Sequence, residues 1–96
     1  MRALLKGTKD KEFRQIIVPN ELEVLQQLVD GYIEHVTIAS DCVLLCNEDA
    51  VAMGLDFNCA FCGICFIGPI LLAGVDGEEF TDCPWSVTMA NKCIEL

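Results

Sequence analysis

Cations are scarce in this sequence once its opening segment is passed: from Gln15 onward only Lys92 stands against thirteen carboxylates. Arg2, Lys6, Lys9, Lys11 and Arg14 lie in residues 1–14 beside Asp10 and Glu12, so the two parts carry +3 and −12 and the chain totals −9. A body this acidic repels nucleic-acid phosphates, and nucleic-acid binding is not expected. Its plain role is to keep an apolar chain in solution. Mimicry of the nucleic-acid backbone is a further reading, but the carboxylates follow neither blocks nor a regular spacing.

Catalytic residue types are equally sparse. His35 is the only histidine, and on an alternating strand its neighbour Glu34 faces the other way. No serine or cysteine sits in a G-x-S-x-G elbow. An enzyme is therefore not expected. Asp76, Glu78, Glu79 and Asp82 crowd one turn without the further oxygen ligands of a calcium loop, and Asn47-Glu48-Asp49 reads as a bend held by its own side chains.

Interruptions also exclude a membrane helix. Residues from Phe57 to Val75 carry no charge, a length that would otherwise raise that reading. Asn58, Gly63, Gly68-Pro69 and Gly74 break the run too often for it. No membrane association is expected.

Cysteine, by contrast, is abundant. There are seven, an odd number, and the N-terminus has no secretory apolar core, so a reduced, cytoplasmic setting is expected. Cys59, Cys62 and Cys65, with Cys83-Pro84 as a remote fourth position, imitate the spacing of an iron–sulfur ligand run. Cluster ligands need an irregular loop, whereas Cys59 to Leu72 is filled with Phe61, Ile64, Phe66, Ile67, Ile70, Leu71 and Leu72, the make-up of a buried strand. Side chains alternate along a strand, which would part Cys62 from Cys59 and Cys65. Core filling is the preferred reading of these thiols, with no cofactor. An iron–sulfur or zinc protein using Cys59, Cys62, Cys65 and Cys83 is the alternative.

The 96 residues are expected to form a single domain, 1–96, and 53% of them are hydrophobic. That share exceeds what one small core holds, which points to a homo-oligomer. Strands are expected over Arg2–Lys6, Phe13–Val18, Tyr32–Ile38, Cys42–Cys46, Cys59–Ile67 and Ile70–Val75. A helix should start at Asn20, with Glu23 completing a capping box, carry an apolar stripe of Leu22, Leu25, Leu28 and Val29, and stop at Gly31. The segment 50–58 reads as irregular. A short final helix should begin at Pro84, capped by Asp82 or Cys83. The expected fold is α+β, a mostly antiparallel sheet with one helix after the first hairpin and a short C-terminal helix.

The blocks Gly31-Tyr32-Ile33-Glu34, Cys46-Asn47-Glu48, Gly54-Leu55 with Asn58, and Gly68-Pro69 with Gly74-Val75-Asp76-Gly77-Glu78-Glu79-Phe80 resemble a family of small uncharacterised domains. That family is carried by phages, conjugative elements and gut Firmicutes. The resemblance spans nearly the whole chain and implies a mobile-element origin. It supplies no catalytic residue to carry over. Asp30 and Ala50 stand where the family pattern has glycine.

The expectation drawn from these features is a non-enzymatic binding domain with an accessory or counter-defence role, sequestering a small anionic signal or a host protein. For an anionic ligand, Arg2, Lys6, Lys9, Lys11 and Arg14 are the candidate anchors, since guanidinium groups meet phosphate with paired hydrogen bonds.

Overall fold

A computed structural model describes residues 1–95. Nine strands and two helices follow in the order β1 (Arg2–Lys6), β2 (Arg14–Ile17), α1 (Leu22–Leu28), β3 (Ile33–Ala39), β4 (Cys42–Asn47), β5 (Phe57–Phe61), β6 (Ile64–Ile67), β7 (Ile70–Asp76), β8 (Glu79–Thr81), α2 (Val87–Lys92) and β9 (Ile94–Glu95). The fold is α+β with antiparallel sheets, as expected. A large sheet runs β2-β1-β7-β4-β3, with β8 also paired to β7, and a small sheet runs β6-β5-β9.

Both faces of the large sheet are covered. Along β4, Cys42, Leu44 and Cys46 face the small sheet, whereas Val43 and Leu45 face α1; β7 repeats this with Ile70 and Leu72 against Leu71 and Ala73. Strands buried on both faces read as continuous apolar runs, which is why β4 and β7 show no polar alternation. Helix α1 contributes Leu25 to its core and its C-cap residue Val29 joins it, with Leu28 packed at the margin. Leu22, expected on the same stripe, is 62% exposed because it lies at the first residue of α1, beyond the sheet contact.

Several boundaries differ from the sequence reading, each for a local reason. Cys59 to Ile67 is not one strand but the β5–β6 hairpin, turning at Cys62-Gly63 with φ of 50° and 80°. A two-residue loop with both central φ positive matches the twist of paired strands. The turn therefore sits in the middle of an apolar run that carries no polar marker except glycine. Asn20 does not cap α1: its amide Nδ2 donates to the Phe80 carbonyl at 2.8 Å, and Glu21 occupies the cap position with no side-chain bond. The last helix starts later than Pro84, where the Ser86 hydroxyl accepts from the Met89 N–H.

Gly74 sets how the chain returns across the sheet. A Cβ there would lie 2.2 Å from the Asp82 carbonyl oxygen, so only glycine lets residues 82–83 cross this point. The crossing is held by Cys83 N–H donating to the Arg2 carbonyl at 2.8 Å and Arg2 N–H donating to Asp82 Oδ1 at 2.7 Å.

Candidate functional site

The five N-terminal cations do not converge. The Arg2 guanidinium is spent inside the protein, donating to Gln15 Oε1 at 2.7 Å, to the Trp85 carbonyl at 2.9 Å and to the Cys83 carbonyl. Lys6 is 2% exposed, and its Nζ donates to Asn58 Oδ1 at 2.6 Å. Asn58 in turn donates to the carbonyls of Lys6 and Gly68. A bulge in β5 between Phe57 and Cys59 aims Asn58 inward to make this contact. Lys9, Lys11 and Arg14 remain on the surface of the β1–β2 hairpin. As a short continuous apolar run, β1 disclosed its buried Ala3, Leu4 and Leu5 but not that its terminal lysine would join them.

The cysteines also separate. Cys42, Cys46, Cys59 and Cys83 are buried, while Cys62 at the hairpin turn and Cys65 on the edge strand are exposed, contrary to the expectation that the whole CxxCxxC run is core. Among the described residues no group of three His, Cys, Asp or Glu side chains is placed to hold a metal ion. The spacing of Cys59, Cys62, Cys65 and Cys83 is thus not matched by convergence in space. Burial pushes Cys46 up to about 11 and raises Cys59, the latter opposed by the nearby Lys6 charge.

Cys83 behaves otherwise. The crossing over Gly74 brings it to Cys42, the register partner of Gly74 on β4. The Cys42 thiol donates to it, and the Trp85 N–H and Arg2 charge favour its thiolate; together these outweigh burial and lower it below the ordinary thiol value. Cys42, as donor in that contact and itself buried, is raised.

His35 is exposed on β3, with its ring edge-on to Phe80 at 6.3 Å. Asn47 is a structural bend, its Oδ1 accepting from the Asp49 N–H at 2.7 Å and its Nδ2 donating to the Val29 carbonyl at 3.0 Å.

What sequence reasoning missed is a cleft of about 600 Å³ between β3–β4 and the small sheet. Val36 and Cys46 form one wall and all four residues of β6 form the other, while Glu34, Glu48 and Asp49 line its mouth. Among the described residues no lysine or arginine lines it. The block Cys46-Asn47-Glu48 was visible in the sequence, but its position opposite β6 depends on pairing between distant segments.

The family model described as Domain of unknown function (DUF3846) matches residues 1–92. The chain belongs to this family. No curated protein and no solved structure matches significantly. Residues 1–92 take in every element from β1 to α2 and so the whole cleft, which makes the cleft a feature of the DUF3846 region itself.

Proposed function

We propose that this chain is a non-enzymatic binding domain of mobile-element origin that captures a cationic segment of a host protein, serving an accessory or counter-defence role in the cytoplasm. The observation that carries this reading is the cleft, which combines apolar walls with three carboxylates and no balancing cation. Such a lining favours an amphipathic, basic peptide over a nucleotide. The origin and role rest on the sequence blocks quoted above.

The small anionic signal is the second reading, supported by Lys9, Lys11 and Arg14 on the surface hairpin. Thermal-shift titration separates the two. A heptapeptide alternating lysine and valine should raise the unfolding midpoint, less so at high salt, and the gain should vanish in the Glu34→Gln/Glu48→Gln/Asp49→Asn variant. Stabilisation by linear or cyclic nucleotides, lost in Lys9→Gln/Lys11→Gln/Arg14→Gln, would transfer the function to the hairpin instead.

A further inference from the structure

Among the described residues five strands border the two sheets: β2, β3 and β8 in the large sheet, β6 and β9 in the small one. Four of them carry a charged residue, Arg14, Glu34, Glu79 and Glu95 respectively for β2, β3, β8 and β9. Charges on an edge oppose pairing with a further strand. The sequence of β6, Ile64-Cys65-Phe66-Ile67, has neither charge nor proline.

Its hydrogen-bonding groups are also aimed outward. A two-residue turn makes Phe61 and Ile64 a bonded pair, and the ladder then alternates, so Phe66 and Gly68 bond toward β5. The Gly68 N–H does so, donating to the Asp56 carbonyl at 2.8 Å. The N–H and C=O groups of Cys65 and Ile67 point away from β5, and among the described residues no hydrogen bond from another segment meets them. Successive strand side chains face opposite ways. A cleft wall that includes all four residues of β6 is accordingly the edge of the strand rather than a face.

We propose that an extended, lysine- or arginine-bearing segment of a partner protein adds to β6 as a fourth strand of the small sheet. Its backbone bonds Cys65 and Ile67, its apolar side chains enter the cleft and its cations meet Glu34, Glu48 and Asp49. Strand addition gives affinity through the main chain and selectivity through alternate side chains. A second copy of this chain is the less favoured occupant, because pairing β6 with β6 would bring together two sets of these carboxylates on molecules of charge −9. The inference rests on the protein-binding reading and specifies its geometry.

The test uses the reduced protein and the acetylated, amidated lysine–valine heptapeptide, followed by calorimetry and amide hydrogen exchange. Two further peptides carry backbone N-methyl groups, on the valines in one and on the lysines in the other. Only one set of N–H groups faces β6, so one isomer should lose about tenfold or more in affinity while the other binds like the parent. Exchange should slow at Cys65 and Ile67, and Cys65→Pro, which removes an outward N–H, should weaken the parent peptide. Equal binding of both isomers would overturn strand addition and leave the protein-binding cleft standing. Failure of the parent peptide to bind, or equal binding of its glutamate counterpart, would overturn the protein-binding reading as well. Protection of Cys65 and Ile67 that grows with protein concentration alone would assign the edge to a second copy.

Discussion

An ammonium group held between two sheets has to be satisfied locally, and for Lys6 that task falls to Asn58. Removing the acceptor leaves a buried charge and two carbonyls without their donor, so Asn58→Ala should cost roughly 3 kcal/mol, read as a lower urea midpoint. Lys6→Met removes the charge itself and should cost less. Cys83 offers a second residue-scale prediction. Thiolate absorbance should titrate below the ordinary thiol value, and Cys42→Ala should move that midpoint up by removing the thiol that donates to it. Between its lowered folded-state value and the ordinary 9.0 the unfolded chain keeps the proton that folded Cys83 has released. This thiolate therefore adds stability that is complete above pH 9 and lost as pH falls through the lowered folded-state value. Cys42 has the opposite sign: above pH 9 the folded state keeps a proton that the unfolded state loses, and its contribution declines. Neither pair was legible in the sequence, since residues 6 and 58 meet only across the two sheets, and 42 and 83 only where the chain crosses Gly74.

At the scale of elements, α1 was legible because its stripe and its end are both written locally. Leu25 is 1% exposed against the sheet, and Leu25→Ala should cost roughly 2–5 kcal/mol in chemical denaturation. The helix ends in a Schellman arrangement, with Asp30 N–H donating to the Gln27 carbonyl and Gly31 N–H to the Gln26 carbonyl. Asp30 adopts φ of 64°, a left-handed conformation natural to glycine, which the resemblance places at this position. Asp30→Gly should accordingly stabilise the protein by up to about 1 kcal/mol, raising the melting midpoint. The β5–β6 turn was illegible for the converse reason: Cys62 is not a residue type that announces a left-handed turn, although it adopts φ of 50°.

For the whole molecule, the large apolar share finds room because one sheet is covered on both faces, making two cores rather than one. Apolar side chains are nevertheless left outside, among them Val51 at 77% and Phe57 at 56% exposure. Self-association, proposed from composition, would cover some of this surface, and the charge of −9 opposes it. Salt screens that repulsion, so light scattering across a dilution series at raised ionic strength should give at least a dimer. A monomer at every concentration and salt would remove the proposal.

Periodicity and composition sufficed for the α+β class, for most strands, for the helix ending at Gly31 and for the polarity of the chain, because each depends on neighbours within a few residues. Tertiary structure alone decided that Arg2 and Lys6 turn inward, that the CxxCxxC thiols part across a hairpin and that Cys42 meets Cys83. It also decided that the chargeless β6 edge lies opposite Glu34 and Glu48 across a cleft. Those outcomes follow from strand order and register, which join residues tens of positions apart and leave no periodic mark on either segment.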